Sequence, residues 1–489
     1  MQLSEVATMA KISLIQNNFT SGELSPHIYM RTDLAQYRNG AKEVLNMLPI
    51  IEGGIKRRGG TQVLKETTNA IRIIPFVLSH TQSYILVFKP LQIDILDLNG
   101  STIKSLATPY SATDIPEITY YQNRYNLYLA HGNHPLSWLR CSTDLTNWAY
   151  DVINYSVPPL EEVDTPFVAI KSSETATGKK AIVTASLYNE YDNTKRYEKD
   201  DIVWYRIDRT KNYFKAKKVT QGHTPTLGSS IEGGFVDDEY WEIIQTESVT
   251  AFNEADKGKF IFINEGIIRI DEFISTSEVR GEILVKLKAD IEAISRSWTL
   301  KADIFTAELG YPKCVTIYQQ RLVLGGTKTY PNYIFFSRVG DETNFLPTTT
   351  DGDSFTVSAS SDLLTNVLHL SQSRGVVVFS GGSELAINST NALTPTNANI
   401  LEHTSYGISE NVKPIKVGSE LLFVQRGSTK LRTLVYDYSA DGLVSNELTV
   451  LASHIPEDHG GFKEMCYQQS PSQLVWIVLR RWHISNLNP

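Results

Sequence analysis

The chain has 489 residues, 41% hydrophobic and 20% charged, and this composition predicts a globular protein of roughly two to four structural units with a sizeable core. No apolar run reaches the ~18 residues of a membrane span, the N-terminus lacks a secretory signal pattern, and the three distant cysteines form neither a disulfide framework nor a zinc motif. The formal net charge of −8 argues against a general DNA-binding surface, because nonspecific affinity for DNA comes mainly from lysine and arginine.

Strand-length runs dominate the chain, and only one stretch predicts a helix. The helix is predicted over 36–48, where Tyr37, Ala41 and Val44 could share one face with Leu45 and Leu48. The strand runs, from IRIIPFVLS (71–79) to LVWIVLR (474–480), are rich in Val, Ile, Tyr and Phe and are bounded by turn residues. They predict a mainly β fold.

Hairpins follow one another from residue 301 onward at the spacing of propeller blades, which is four strands in ~40 to 50 residues. We therefore predict a propeller-like core of small antiparallel sheets, with one short N-terminal helix and an inserted small β module; a β-sandwich stays open as the alternative. The predicted segments are a flexible N-terminus (1–16), the N-terminal part of the β core (17–156), a linker with the inserted module (157–250), a β connection domain (251–300) and a C-terminal propeller-like part (301–489).

The segment NNFTSGELSPHIYMRTDLAQYRNGAKEVLNMLPIIEGGIKRRGGTQ (17–62) resembles the opening of a family of bacteriophage tail nozzle or hub proteins, which are similar to tail tubular protein B. The family pattern reads F-x-x-G-E-L-S-P, R-x-D, Y-x-x-G, an Asn, G-G and an R-P-G-T turn. This chain departs from it at Gly59, where the family usually has proline. The matching residues are Gly22, Glu23, Leu24, Ser25, Pro26, Arg31, Asp33, Tyr37, Gly40, Asn46, Gly53 and Gly54.

A second segment, TIYQQRLVLGGTKTYPNYIFFSRVGDETNF (316–345), is similar to the same family, whose pattern there includes Y-Q-Q-R-L, a glycine turn, S-R and N-F. The similarity spans nearly the whole chain outside the inserted module. The matching residues here are Gly310, Pro312, Tyr318, Gln319, Gln320, Arg321, Leu322, Pro331, Ser337, Arg338, Asn344 and Phe345.

The resemblance implies a structural component of the virion tail, made in the bacterial host cytoplasm, with no catalytic centre and no cofactor. It implies a nozzle or hub ring, usually of six copies, through which double-stranded DNA leaves the capsid. Other implied partners are tail adaptor or gatekeeper proteins and tail fibres or spikes. Six copies would carry −48 formal charges at −8 each, so an acidic lumen would keep the passing DNA from adhering.

Five residues of the two family segments are predicted assembly contacts. They are Arg31 and Asp33 in the first segment and Tyr318, Arg321 and Arg338 in the second. Arginine side chains can make charge-assisted, bidentate contacts that hold blades or subunits in register. The alternative that these arginines pair with acids inside one subunit stays open.

The inserted module resembles small chitin-type carbohydrate-binding modules at RYEKDDIVWYRIDRTKNYFKAKKVTQGHTPTLG (196–228) and DDEYWEII (237–244). It departs from them where their exposed aromatic platform should lie, because Lys218 and Val219 occupy those positions. The predicted residues of a glycan site are Tyr197, Trp204, Tyr213 and Trp241. A receptor- or glycan-binding tail component is therefore the alternative function, against a module that packs on a neighbouring tail protein.

The sequence contains only weak matches to catalytic, metal-binding and nucleotide-binding motifs. His131, His134, His454 and His459 have no carboxylate or third histidine at a helical offset, so we predict structural histidines and no metal site. The Asp-Gly loops at 350–354 and 437–442 lack the glutamate that would complete a calcium loop. No nucleophile elbow, phosphate loop or dinucleotide turn is present. A carboxylate pair for cell-wall hydrolysis stays open as a third function.

Both ends of the chain depart from the family pattern. The residues before Met9 match nothing in it, so translation is predicted to begin at Met9. After LVWIVLR the family continues with Asp-Gly and a further strand, whereas this chain reads RWHISNLNP. One codon choice for 481–488, read one base later, gives Asp-Gly-Thr-Phe-Leu-Thr-Leu. We therefore expect a frameshifted or truncated form of a longer chain that has a further blade.

Overall fold

The computed structural model describes residues 15–79, 81–186, 188–227, 229–231, 234–236, 238–244, 249–347, 350–359, 366–389 and 392–481. The chain divides into two compact units. Unit 1 comprises Met1–Pro158 and Phe305–Pro489, and unit 2 comprises Pro159–Ile304. The predicted start at Met9, most of the predicted flexible N-terminus and the predicted frameshift lie outside the described residues.

The N-terminal part of unit 1 has little regular structure. Strand β1 (Gly22–Glu23) pairs in parallel with β2 (Gly40–Ala41), and β3 (Met47–Pro49) forms a hairpin with β4 (Ile55–Arg57). Helix α1 spans only Ala35–Arg38.

The helix predicted over 36–48 is therefore wrong over most of its length. Gly40, a poor helix former, pairs with Gly22 instead, at a position where any larger side chain would collide with Leu24. The backbone N–H of Val44 then donates to the Glu23 carboxylate at 2.8 Å rather than to a helical carbonyl.

Two four-stranded antiparallel meanders follow. Blade 1 consists of β5 (Arg72–Val77), β6 (Ser83–Lys89), β7 (Gln92–Leu96) and β8 (Thr102–Ala107). Blade 2 consists of β9 (Thr119–Asn123), β10 (Asn126–His131), β11 (His134–Cys141) and β12 (Trp148–Val152). Along β5, alternate residues are buried, as the pleat of a strand requires. The buried faces meet in one core, where Phe76 and Trp148 pack edge to face with ring centroids 5.0 Å apart.

Unit 2 contains one seven-stranded antiparallel sheet, in the order β13, β26, β23, β24, β25, β15, β14. Its strands are β13 (Leu160–Glu162), β14 (Ala169–Ser172), β15 (Lys180–Ser186), β23 (Phe260–Ile263), β24 (Gly266–Ser275), β25 (Glu278–Val285) and β26 (Thr299–Asp303). Between β15 and β23 the chain forms β16 (Arg196–Tyr197), β17 (Ile202–Ile207), β18 (Thr210–Ala216), β19 (Thr220–Gln221), β20 (Ser229–Ile231), β21 (Gly234–Val236) and β22 (Trp241–Ile244).

The strands at 160–186 and 260–303 thus share one sheet, whereas the predicted boundaries put them in separate segments. We propose that the inserted module is residues 188–244, which has a core of its own around Phe214 and Trp241.

The remainder of unit 1 returns to the blade pattern. Blade 3 consists of β27 (Cys314–Tyr318), β28 (Arg321–Gly325), β29 (Tyr333–Phe336) and β30 (Phe355–Ser358), and blade 4 of β31 (Val367–Gln372), β32 (Val376–Ser380), β33 (Glu384–Asn388) and β34 (Asn399–Thr404). Blade 5 consists of β35 (Ile415–Val417), β36 (Glu420–Val424), β37 (Leu431–Asp437) and β38 (Gly442–Glu447). After helix α2 (His454–Asp458), blade 6 has β39 (Phe462–Gln468) and β40 (Leu474–Leu479) among the described residues.

Neighbouring blades pack face to face through apolar cores. Separate clusters of buried side chains join blade 3 to blade 4, blade 4 to blade 5 and blade 5 to blade 6, and β27 of blade 3 contacts β9 of blade 2. The first strand of each blade contributes residues to the wall of one shared cavity. The prediction of a mainly β, propeller-like fold is confirmed. Within the described ranges, neither helix has the length and apolar character that a membrane crossing requires.

Candidate functional site

The axis of unit 1 holds a cavity of about 520 Å³, which we call the axis cavity. Its wall receives residues from the first strand of every blade, from Arg72 in β5 to Tyr467 in β39. All six sheets therefore contribute to the wall of this cavity.

Arg72 joins the first blade to the last at the wall of this cavity. Its side chain is buried, and its Nε donates to Glu464 Oε1 at 2.9 Å. Its Nη1 donates to the carbonyl oxygens of Ile118 at 2.6 Å and Ile115 at 3.4 Å, in the connection to blade 2. The Arg72 guanidinium therefore links blade 1, blade 6 and the connection to blade 2.

Lys413 and Gln372 bridge the axis cavity at other blades. The Lys413 ammonium donates to the Tyr120 carbonyl oxygen at 2.5 Å and lies 3.8 Å from the centre of the Tyr120 ring. Burial, and then the charge of Arg72, lower the pKa of Lys413 to about 7. Gln372 Nε2 donates to the hydroxyl of Tyr121 at 2.9 Å and also to the Ile317 carbonyl. Polar side chains thus close the axis.

The predicted assembly residues divide into exposed and buried ones. Arg31 and Asp33 form a bidentate ion pair, at 2.8 and 2.7 Å, with both side chains more than half exposed. Arg338 is also more than half exposed and lies 3.4 Å from a carboxylate oxygen of Asp353. These three side chains remain accessible to a partner.

Arg321 is instead an internal residue of blade 3. Its side chain is 1% exposed, and its two terminal nitrogens donate to the carbonyl oxygens of Ser337, Asp353 and Asp351 at 2.6 to 2.8 Å. Tyr318 donates from its hydroxyl to the Arg374 carbonyl at 3.3 Å. The structure therefore places Arg321 where another subunit cannot reach it, in line with the alternative of contacts inside one subunit.

The predicted glycan residues lie mostly in the interior of the inserted module. Tyr197 and Trp241 pack edge to face in its core, and the indole N–H of Trp241 donates to the His223 carbonyl at 2.6 Å. Trp204 is buried with its indole N–H on Glu292, at 3.0 Å, whereas Tyr213 is half-buried. Three of the four rings offer no open face for a sugar, and glycan binding by this set stays a prediction that the burial disfavours.

The histidines at 131 and 134 lie at the two ends of the hairpin turn between β10 and β11. The fold brings Asp114, from the connection between blades 1 and 2, to this turn, and their ligand atoms lie within 4.8 Å of one another. Burial, and then the neighbouring His134, lower the pKa of His131 to about 4. Although burial opposes ionisation, hydrogen bonds from Ser111 and His134 hold the pKa of Asp114 at about 2.

The spacing of the two histidines could not reveal this cluster, because Asp114 is 17 and 20 residues from them and reaches them only through the packing of a connection on a hairpin. Arg72, Lys413 and Glu464 were missed for the same reason. An unpaired arginine or lysine within an apolar strand pattern is the one local signal that could have drawn attention to Arg72 and Lys413.

Six stacked sheets with an axis closed by side chains define a propeller-like structural scaffold. Residues 315–457 match the family model described as bacteriophage nozzle protein. This match covers less than half of the chain; it confirms the resemblance to the nozzle family seen in the sequence and supports a structural role in a bacteriophage tail.

Solved structures similar to this chain include a protein from Lactobacillus plantarum, at 8% identity and a TM-score of 0.31, covering 80% of this chain and 87% of that one. BBS1N, solved in complex with ARL6DN, is 10% identical with a TM-score of 0.27 and covers 85% and 90% of the two chains. Hsv2 of Kluyveromyces lactis is 11% identical with a TM-score of 0.22 and covers 75% and 94%. No curated protein sequence matches the chain.

Proposed function

We propose that the protein is a nozzle or hub subunit whose copies, six as the family resemblance implies, form a ring around the path of DNA ejection. The match of residues 315–457 to the nozzle family carries this proposal. Adaptor or gatekeeper proteins on one side and fibres or spikes on the other are the partners that such a ring would contact.

The DNA path then lies between copies and not along the axis of one propeller. The axis cavity of about 520 Å³ holds the volume of roughly 17 water molecules at ~30 Å³ each. A DNA duplex has a major groove that is itself about 12 Å wide, so it cannot enter this space. The hydrogen bonds of Arg72, Gln372 and Lys413 across the wall would have to break before anything could pass.

The net negative charge of the chain supports a channel to which DNA does not adhere. Six copies at −8 each carry −48 formal charges, and a channel of the same sign as DNA lowers its residence on the wall. The Arg31–Asp33 pair is a candidate contact between copies because it is exposed and faces no other charged group among the ion pairs of the described residues.

The test compares tails carrying Arg31→Glu with tails carrying Arg280→Glu as the matched control. Arg280 also forms a half-exposed ion pair, with Glu272 at 2.6 Å, but lies in unit 2 outside the family segments. We expect Arg31→Glu to reduce the number of complete tails seen by electron microscopy, while Arg280→Glu leaves it unchanged. Normal tails with both variants would remove Arg31 from the proposed contact, and virions that lack the protein would overturn the proposed function.

A further inference from the structure

The cluster of Asp114, His131 and His134 has the donor atoms of a metal site. His134 Nε2 lies 3.1 Å from Asp114 Oδ2, and His131 Nε2 lies 3.8 Å from Asp114 Oδ1. Glu117 adds a further carboxylate oxygen at 3.6 Å from His131 Nε2. The ligand atoms of Asp114, His131 and His134 thus lie within 4.8 Å of one another at the β10–β11 hairpin, with the Glu117 carboxylate beside His131.

A second observation points to a missing ligand at this place. The side chain of His131 is 1% exposed, and its Nε2 is a buried polar atom with no hydrogen-bond partner. Leaving such a group unpaired is costly, so native structures rarely do it. The orphan nitrogen is aimed at the two carboxylates, yet both lie beyond hydrogen-bonding distance.

We propose that His131, His134, Asp114 and Glu117 bind one divalent transition-metal ion, zinc being the ion that best suits this donor set. A tetrahedral zinc ion with bonds of about 2.0 to 2.1 Å separates its ligand atoms by roughly 3.3 Å. The observed separations of 3.1, 3.6 and 3.8 Å lie on either side of that value. The backbone N–H of Ser111, 2.8 Å from Asp114 Oδ2, orients the carboxylate as an outer-shell partner would.

Binding requires a local change at each histidine. At His134 the ion replaces the hydrogen bond between Nε2 and Asp114 Oδ2, which is 3.1 Å long. His131 Nδ1 accepts a hydrogen bond from the backbone N–H of Asn133 at 3.2 Å, so the neutral ring carries its proton on Nε2. A metal at Nε2 moves that proton to Nδ1 and breaks this hydrogen bond. The loss of these two hydrogen bonds is small beside the gain of the metal–ligand bonds.

The ion would fasten the connection between blades 1 and 2 to the hairpin of blade 2. Asp114 and Glu117 belong to the connection, whereas both histidines belong to the hairpin. The Glu117 side chain is half exposed, which leaves a route for the ion from solvent. The role is therefore structural: the ion would stabilise blade 2 without taking part in chemistry.

The experiment uses the 489-residue chain, stripped with a chelator and then incubated with zinc chloride and desalted. All proteins carry Cys466→Ser, because this exposed thiol is another zinc ligand. We expect roughly one zinc ion retained per chain and a rise in unfolding temperature of roughly 5 °C or more at saturating zinc. Cobalt in place of zinc should give the visible absorption of a tetrahedral site.

His134→Gln and Asp114→Asn test the ligands, since both side chains are partly exposed and their replacement leaves no large cavity. The matched control is His454→Gln, which removes a histidine 2.9 Å from Glu23 at another place in unit 1. Zinc retention and the stabilisation should be lost in the two ligand variants and kept in the control. Cys466→Ser protein with all four proposed ligands that retains no zinc, or ligand variants that retain as much as the control, would overturn the proposal.

Discussion

The sharpest prediction concerns Arg72→Met, which removes the charged link between blade 1 and blade 6 while keeping most of the side-chain volume. The variant loses one ion pair and two hydrogen bonds to backbone carbonyls, and it leaves Glu464 without its partner. Breaking a fully buried ion pair costs about 3 to 5 kcal/mol, but the Glu464 side chain is about a third exposed and water can partly replace the guanidinium. We therefore expect a loss of about 2 to 4 kcal/mol in the free energy of unfolding of unit 1.

The assay is urea denaturation with hydrogen exchange measured in parallel on β39 and β40. Among the described residues, Arg72–Glu464 is the only ion pair that joins blade 1 to blade 6. Its loss should therefore accelerate amide hydrogen exchange first in blade 6. Arg140→Met serves as the control, since its pair with Asp151 lies within blade 2 and both side chains are nearly half exposed. We expect that variant to lose less than about 1 kcal/mol.

A loss below about 1 kcal/mol for Arg72→Met, or protection in β39 and β40 unchanged from wild type, would refute the reasoning. Either result would mean that the apolar cluster between blades 5 and 6 holds the last blade in place without help from blade 1. The double variant with Glu464→Gln separates the two contributions, because the coupling energy of the pair should be about 1 to 3 kcal/mol.

The other predictions use the same denaturation assay or intact particles. Arg321→Met should cost about 2 to 4 kcal/mol because three backbone carbonyls lose their donor, whereas Arg338→Met should cost less than about 1 kcal/mol; equal losses would contradict the assignment of Arg321 to the interior. Burial lowers the pKa of His369 from 6.5 to about 3. Between these two pH values the His369 imidazole binds a proton in the unfolded chain but not in the folded chain. The folded state therefore loses stability as the pH falls through this range. Between pH 7 and pH 5 His369→Gln should therefore lose about 2 kcal/mol less than wild type, and an equal loss would contradict the burial argument. Replacing 188–244 by a flexible linker should leave complete particles; if these particles fail to adsorb, the module is a receptor-binding element, and if tails fail to assemble, it is an assembly element.

The strands could be predicted from the sequence because the pattern of apolar residues along a strand reflects the burial of that same strand. The alternation along β5 and the continuous apolar runs of β32 and β36 report whether one or both faces of a strand are buried. The helix predicted over 36–48 failed for a tertiary reason, since Gly40 pairs with a strand 18 residues earlier. Periodicity over a short window cannot register such a pairing.

The candidate sites were harder to foresee because they depend on contacts between distant segments. Arg72 and Glu464 are 392 residues apart, and no local pattern links them. The aromatic rings of Tyr197 and Trp241 matched a binding-module pattern, but the same pattern also describes the core of such a module, which is where the structure puts them. Residue type alone does not distinguish a stacking platform from a buried cluster.

The most direct test of the account is a cryo-electron microscopy map of the intact tail. We expect several copies of this chain in a symmetric ring, with a duplex-sized hole between them and the axis cavity of each copy bridged by side chains. A single copy per tail, or nucleic-acid density running through the axis of one propeller, would contradict it.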